Sequence, residues 1–331
     1  MAEIQTYTVR SFDDPRLGRE RWDEILRCGT TNVVCLTWHW QKTWWETFGR
    51  GELLIVVAEK NGVPVALASL MAIDGMVYFV GSKGSDCLDF SGDVSDPDVL
   101  YAILITAREH VSGFIGFKFC FVPEYSPTGR LLEQISERLG LAHCLRDEWV
   151  TPVVDLSKNA AEVQAKLQRS LLRRENYFRE QGRFDVQVET ESVRIEPYLA
   201  EFFHFHQTEW ETKQIESELA TPPQRAFLTR VLEAMAKEGF ARMLRLEWEG
   251  QFLAAEFAFY YRGTHFSAPW CYNIAFAKRC PGHVLLRQSV LAAVAAGLHT
   301  YDLGLGDQEY KFRLPVRTFL SQTWGLYRPD A

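Results

Sequence analysis

The amino-acid sequence predicts an α+β protein of two domains, each a mixed, mostly antiparallel sheet flanked by helices. Its 331 residues, 47% hydrophobic and 24% charged, have a soluble composition and suffice for two domains. Short apolar runs joined by tight Xaa-Gly turns form two meanders, the strongest short-range signal for hairpins. Crossover segments follow each meander in a similar order. We therefore expect a boundary that divides the chain into residues 1–155 and 156–331.

Charge and cysteine content exclude several function classes. The net charge of −7 argues against a general nucleic-acid binder. The seven cysteines form no CxxC pair, and no histidine cluster has zinc-ligand spacing, so we expect no metal site and a reducing compartment. The N-terminal residues lack the apolar segment of a signal peptide, and no apolar run approaches a membrane span. These features predict a cytoplasmic protein.

In the first half, the meander is marked by the turns Asn61-Gly62 and Asp74-Gly75. Alternating apolar runs predict strands, and longer periodic runs predict helices. The predicted strands are 5–12, 53–59, 63–73, 76–80, 115–122 and 143–154. The predicted helices are 17–28, 37–48, 97–111 and 127–139.

In the second half, Glu249-Gly250 and Arg262-Gly263 mark the meander, and Gly182 and Gly239 suit helix ends. The predicted strands are 184–190, 241–248, 251–261, 264–272, 300–303 and 318–327. The predicted helices are 159–181, 196–212, 222–237 and 283–296, with a further polar helix start at 307–312.

The segment 271–284 is the first that points to chemistry. A meander strand ends there, a loop carries Arg279 and Gly282, and an apolar helix begins. A glycine permits close backbone approach, and a helix N-terminus offers unpaired N–H groups and a positive dipole end. Together they predict an anion site suited to a pyrophosphate. The alternative is an ordinary strand-to-helix turn with Pro281 at the first helical position.

The segment 301–311 is the second segment whose residues point to chemistry. Asp302 leaves a strand at its carboxyl end, where open sheets place ligands. Asp307 is suited to cap the following helix. Tyr310 then lies about one turn into that helix, where its phenol is directed back at the cleft.

These segments resemble the GNAT acetyltransferase superfamily. More closely, the chain resembles the two-domain cellulose-biosynthesis (CelD/BcsL-like) acetyltransferases, which are related to the Fem-type peptidyltransferases. The resemblance covers most of the chain and is carried by the tryptophan-rich run 37–49, by Gly250 with 254–255 and 280–282, and by 301–311. One departure is Val284, where the phosphate loop of the family has glycine or alanine.

The resemblance implies two tandem GNAT-like domains, the first degenerate and the second catalytic. It also implies an acyl-CoA donor substrate, with no tightly bound cofactor, and direct attack by the acceptor within a ternary complex. The residues expected to bind the donor are Tyr272, Arg279, Cys280, Pro281, Gly282, His283 and Val284.

Catalysis of this kind needs an acid for the leaving thiolate and a base for the acceptor proton. The resemblance implies that Tyr310 is the acid, and a helix-packing tyrosine is the alternative. Glu256 lies among apolar residues on a meander strand, a position suited to a general base, unless its side chain faces solvent. Asp302 is the other candidate base, unless it only caps the loop of Gly304 and Gly306.

We expect the acceptor to lie at the groove between the domains. The candidate ligands are Lys83, Asp86 and Asp89, which follow the first meander, and Asp307 and Lys311 from the second half. The alternative for the first three is a mobile loop. A basic run at Lys166, Arg169, Arg173, Arg174 and Arg179 is either a charged surface helix or a rim for an anion.

The sequence therefore predicts an acyl-CoA-dependent N- or O-acyltransferase that transfers acetyl to a sugar, a polysaccharide precursor or a small amine. A Fem-type aminoacyl- or peptidyltransferase that uses charged tRNA is one alternative. A non-catalytic scaffold that binds acyl-CoA is another. The oligomeric state is left open by the sequence.

Overall fold

A computed structural model describes residues 3–158 and 160–329 and divides the chain into two compact units. The first unit extends to Val150 and also contains the chain from Phe319 onward, and the second is Thr151–Thr318. The units divide between Val150 and Thr151, and the domain boundary at residues 155 and 156 stays a prediction. The last segment differs, because we expected it in the second domain and it lies in the first unit.

The strands are β1 (Ile4–Val9), β2 (Glu52–Lys60), β3 (Val63–Ile73), β4 (Met76–Phe79), β5 (Ser91–Gly92), β6 (Gly116–Pro123), β7 (Ala142–Asp155), β8 (Phe184–Glu189), β9 (Ala241–Trp248), β10 (Gln251–Tyr261), β11 (Thr264–Tyr272), β12 (Thr300–Asp302) and β13 (Val316–Tyr327). The helices are α1 (Gly18–Arg27), α2 (Trp38–Phe48), α3 (Pro97–Glu109), α4 (Thr128–Ser136), α5 (Ala160–Lys166), α6 (Leu172–Gln181), α7 (Ser192–Ile195), α8 (Leu199–Thr212), α9 (Pro222–Lys237) and α10 (Pro281–Ala295).

The first unit is built on strands in the order β1-β2-β3-β4-β6-β13. β4 and β6 are parallel, and the other neighbours in this order are antiparallel. β13 completes this sheet because residues Ser321–Tyr327 pair with β6 and bury the Trp324 side chain. The indole packs against α4, where a Cβ on Gly129 would lie 2.8 Å from it.

The second unit has the order β12-β11-β10-β9-β8, with the end of β7 antiparallel to β12. β11 and β12 are parallel, and the meander β8 to β11 is antiparallel. Both units thus have the predicted mixed, mostly antiparallel sheet. Each places one long helix in the crossover between its two parallel strands, α3 in the first unit and α10 in the second.

Two predicted helices are shorter or interrupted. The helix predicted from Asn159, a residue outside the described ranges, is divided by a π-helical turn at Leu167–Leu171 between α5 and α6. The predicted polar helix at 307–312 is instead a 3-10 turn, Glu309–Arg313, which follows Gln308 rather than a cap by Asp307.

Among residues 3–158 and 160–329, no helix is both long and apolar enough to cross a membrane.

Candidate active site

The candidate site begins where two parallel strands of the second unit stop pairing. β12 pairs with β11 only over Thr264–Phe266 and ends at Asp302, while β11 continues to Tyr272. The Asn273 amide donates to the Leu253 carbonyl on β10, 2.9 Å away. Because amides alternate along a strand, the Tyr272 amide is directed to the opposite edge. On that edge β11 has no pairing with β12 from Ser267 onward.

A pocket opens beside this edge. It encloses about 290 Å³ of empty space, part of it open to solvent. A few polar groups converge in an otherwise apolar and aromatic wall, which is typical of a small-molecule site. The lining residues are Glu256, Ser267, Trp270, Gly282, Leu285, Leu286, Tyr301, Leu303 and Tyr310.

Glu256 is the only acidic residue in that lining, and it is 5% exposed. Its Oε1 atom lies 3.2 Å from Nε2 of His265, which donates when the carboxylate is ionised. The Tyr301 hydroxyl lies 3.5 Å from the same oxygen and donates to Oγ of Ser289 at 2.8 Å. The side chain therefore faces inward, and a buried polar cluster holds it at the pocket wall.

Two rings support this carboxylate. The His265 imidazole stacks on the Tyr301 ring with centroids 3.9 Å apart and planes 11° apart. Burial, and then the charge of Glu256, raise the pKa of Tyr301 well above its ordinary value. The Tyr301 phenol therefore remains protonated at neutral pH and can keep donating within the cluster.

Tyr310 lies on the 3-10 turn and lines the same pocket as Glu256. Its ring meets Trp270 edge to face, with centroids 5.3 Å apart. Tyr310, the candidate acid, and Glu256, one candidate base, are 54 residues apart in the sequence, and they line one pocket.

Three other candidates in the segment 301–311, Asp302, Asp307 and Lys311, are not among the residues that line the pocket. Asp302 accepts a hydrogen bond from the Gly304 amide at 2.8 Å, and Asp307 is exposed. Lys311 is 3% exposed, and its ammonium donates to the carbonyls of Gly304 and Leu305. Asp302 and Lys311 therefore stabilise the glycine loop, and this arrangement gives neither of them contact with the pocket.

The backbone of the loop before α10 is strained at one residue. Cys280 has φ of 55°, and Pro281 begins the helix without an N–H. The His283 amide donates to the Cys280 carbonyl at 3.0 Å, which makes the Gly282 amide the donor available in this turn. Gly282 also lies against an aromatic ring, because a Cβ there would be 2.9 Å from Cζ3 of Trp270.

Arginines supply positive charge around this helix start. Arg279 is exposed, with its guanidinium 4.0 Å from the Tyr177 ring centroid. Burial, then the charges of Arg313 and Arg174, lower the pKa of His283 to about 4, so His283 is neutral at pH 7. Val284, the departure from the family pattern, is fully buried and packs in the core below the loop.

The Tyr272 amide, which was expected to contact the donor, is already hydrogen-bonded. It donates to Oε2 of Glu209 at 2.9 Å. Glu209 belongs to α8 and is 2% exposed. Sequence reasoning assigned no role to Glu209, His265, Trp270 or Tyr301, since only the packing of α8, β11 and β12 brings them to the site.

The three acceptor ligands expected from the first unit have different environments. Lys83 and Asp86 are exposed. Asp89 is 4% exposed, and its carboxylate accepts from the hydroxyls of Thr31 and Thr128, each at 2.6 Å. Burial raises the pKa of Asp89. This residue is thus part of the interior of the first unit, which corrects the expectation that it contacts an acceptor.

Residues 165–312 match the family described as "Acetyltransferase (GNAT) domain". No curated protein matches the chain. The structure is similar to that of FemX, with 13% identity, a TM-score of 0.69, and coverage of 97% of this chain and 96% of that one. It is also similar to a tandem GNAT protein from the clavulanic acid biosynthesis pathway, with 9% identity, a TM-score of 0.56, and coverage of 99% and 100%.

A third similar structure is the C-terminal domain of a lysylphosphatidylglycerol synthetase from Agrobacterium fabrum, described as putative. It has 13% identity, a TM-score of 0.58, and coverage of 93% of this chain and 91% of that one. At such identities these structures establish the fold alone. The fold is therefore a tandem GNAT fold, and residues 165–312, which lie in the second unit, are similar to a GNAT acetyltransferase domain.

Proposed function

We propose that the protein is an acyl-CoA-dependent acyltransferase, which transfers acetyl to a sugar, a polysaccharide precursor or a small amine. The observation that supports this most directly is the pocket beside the part of β11 that extends beyond its pairing with β12. Glu256, Tyr310 and Gly282 all line this pocket. A kinship with the two-domain cellulose-biosynthesis acetyltransferases is part of the same proposal.

In the proposed reaction, an acceptor nitrogen or oxygen attacks the thioester carbonyl carbon of the donor. The new C–N or C–O bond forms, and the C–S bond breaks. Glu256 takes the acceptor proton, and Tyr310 gives a proton to the leaving thiolate. Transfer of the Glu256 proton to the Tyr310 phenolate, through solvent, then restores both groups.

The donor pyrophosphate is proposed to bind at the start of α10. The Gly282 amide and the positive helix end favour an anion there, and Arg174, Arg279 and Arg313 add charge around the same turn. The neutral His283 imidazole contributes polarity without charge. The pantetheine chain is proposed to follow the β11 edge toward Tyr272.

The test is calorimetric titration of the purified protein with acetyl-CoA, desulfo-CoA and longer acyl-CoAs. We expect binding in the micromolar range, typical of enzyme substrates. Gly282→Trp should abolish it, because the indole would collide with Trp270 and fill the turn. Circular dichroism of the variant checks that it folds, and unchanged CoA affinity in a folded variant would refute this donor site.

Two other outcomes correspond to the alternative functions. If no acyl-CoA binds but charged tRNA binds with strong salt dependence, the Fem-type reading replaces the proposal. If acyl-CoA binds but is never turned over with any amine or sugar offered, the scaffold reading replaces it. Turnover that is lost in Tyr310→Phe rules out the scaffold.

A further inference from the structure

A lysine ammonium lies among three aromatic rings beside the candidate active site. Nζ of Lys213, which follows α8, is 5.3 Å from the Trp210 ring centroid and 6.0 Å from those of Trp270 and Tyr272. A cation within about 6 Å of an aromatic face is attracted by the ring quadrupole. We name Trp210, Trp270 and Tyr272 the aromatic box.

A buried carboxylate supplies the negative charge of the box. Oε1 of Glu209 lies 2.6 Å from the Lys213 ammonium, and Oε2 accepts the Tyr272 amide. Since Glu209 is 2% exposed, its ionised form requires such partners. The three rings and this carboxylate thus contact one alkylammonium group, that of Lys213.

The box is held by neighbours other than the lysine. Trp210 stacks on His206, with centroids 5.6 Å apart, and the fully buried His206 contacts Oγ of Ser217 through Nδ1. Trp270 stacks on Tyr272 and lies against Gly282. Lys213 itself has a 41% exposed side chain. Its flexible chain can leave for solvent while the rings remain packed.

The box adjoins the pocket through one shared side chain. Trp270 contributes a ring to the box and also lines the pocket with Glu256 and Tyr310. A ligand held in the box therefore contacts the same Trp270 indole that lines the pocket of the proposed catalytic groups.

We propose that the aromatic box is the acceptor subsite for an aliphatic ammonium group, and that Lys213 occupies it in the free protein. This inference rests on the proposed acyl transfer and names the acceptor class. An ammonium paired with Glu209 has no lone pair, so it anchors the acceptor and does not attack. The attacking group is a second amine or a hydroxyl of the same molecule, beside Glu256.

The probe is n-butylammonium, titrated by calorimetry into the CoA-free protein at pH 7, with n-butanol as its neutral counterpart. We expect weak binding to the wild type and about tenfold tighter binding to Lys213→Ala, because the internal competitor is removed. Lys237→Ala is the matched control. Lys237 is exposed and pairs with Glu233 at the same spacing, on α9, so its removal should leave the affinity unchanged.

Two further variants locate the binding. In the Lys213→Ala background, Glu209→Gln and Trp270→Leu should each reverse the gain. Glu209→Gln keeps an oxygen for the Tyr272 amide and is therefore the variant expected to fold normally. The proposal is overturned if Lys213→Ala does not bind n-butylammonium more tightly than the wild type. It is also overturned if the gain survives Glu209→Gln, or if n-butanol binds equally well.

The result is separable from the fate of the proposed function. Binding of n-butylammonium needs no acyl-CoA and is measured in the absence of the donor. If the protein binds n-butylammonium but no CoA, the ammonium site is supported and the proposed acyltransferase function is refuted. If the protein binds CoA but Lys213→Ala does not bind n-butylammonium more tightly, the donor site is supported and this acceptor class is refuted.

Discussion

The two units repeat one architecture but differ at the helix start that follows the meander. In the first unit, α3 begins at an acidic cap, since Asp96 accepts from the Asp98 amide at 3.0 Å and pairs with Lys60. In the second, α10 begins after Cys280, whose side chain makes no capping hydrogen bond, and its first turn holds no acidic residue. We therefore expect the second helix start to favour an anion more than the first.

The units also differ on the third strand of each sheet, counted from β1 in the first unit and from β8 in the second. These strands are β3 and β10. Ala68 on β3 and Glu256 on β10 follow their turn glycines, Gly62 and Gly250, by the same number of residues. Both are buried, but only Glu256 brings a carboxylate to that position. The comparison teaches that one fold can present different side chains at matching positions, and the proposed function depends on such positions.

The largest expected effect tests the carboxylate. Glu256→Gln should lower kcat of acyl transfer by about 10²- to 10⁴-fold, because an amide cannot take the acceptor proton. The measurement is thiol release from the acyl-CoA that the titration identifies. Glu201→Gln, which alters an ion pair with Arg245 in the same unit, should retain the wild-type rate. A retained rate in Glu256→Gln would show that another group is the base.

The next effect tests the helix starts directly. Cys280→Asp gives α10 an acidic cap like that of α3 and should weaken CoA affinity by about 10- to 100-fold through repulsion of the pyrophosphate. Calorimetric titration with desulfo-CoA measures it. The matched change in the first unit, Asp96→Asn, should leave CoA affinity unchanged. Equal losses in both variants would mean that the two helix starts do not differ as argued.

A smaller effect tests the polar interior of the first unit. Asp89→Ala leaves the Thr31 and Thr128 hydroxyls without their acceptor and should lower the free energy of unfolding by about 1–3 kcal/mol per buried group. Urea unfolding measures this loss. Lys83→Ala, an exposed neighbour in sequence, should cost nothing measurable. An Asp89→Ala variant that is as stable as the wild type but binds the acceptor more weakly would show that Asp89 contacts the acceptor.

The smallest effect is a pH dependence. His283 has a pKa of about 4 in the folded protein, against about 6.5 when unfolded. As the pH falls from about 6.5 to 4, the unfolded state takes up this proton first, so the free energy of unfolding decreases in that window. His283→Gln should remove that part of the decrease, and His204→Gln, at an exposed position on α8, should not.

Donor binding should also change the pKa of His283. A pyrophosphate beside His283 offsets the charges of Arg313 and Arg174 and should raise the pKa of His283, as NMR titration of its ring proton would record. A pKa that is identical with and without CoA would contradict a phosphate site at α10.

Much of the fold could be predicted because its signals are local. The Xaa-Gly turns fix the ends of the meander strands, and β3, β9, β10, β11 and α9 have the predicted bounds. Glu256, Gly282 and Tyr310 were singled out for the same reason, since each belongs to a local motif. The 3-10 turn at Glu309–Arg313 was missed because Lys311 is drawn into the interior by the carbonyls of the glycine loop.

The sequence by itself determined the two meanders, their turns, and the helix start at Pro281, because these depend on residues close together along the chain. Only the tertiary structure decided what meets across elements. Counting from the turn at Arg262-Gly263 pairs Glu256 with Pro269, but a bulge moves its partner to Trp270. The burial of Asp89, the pairing of β13 with the first unit and the proximity of Lys213 to three aromatic rings likewise result from packing between distant segments.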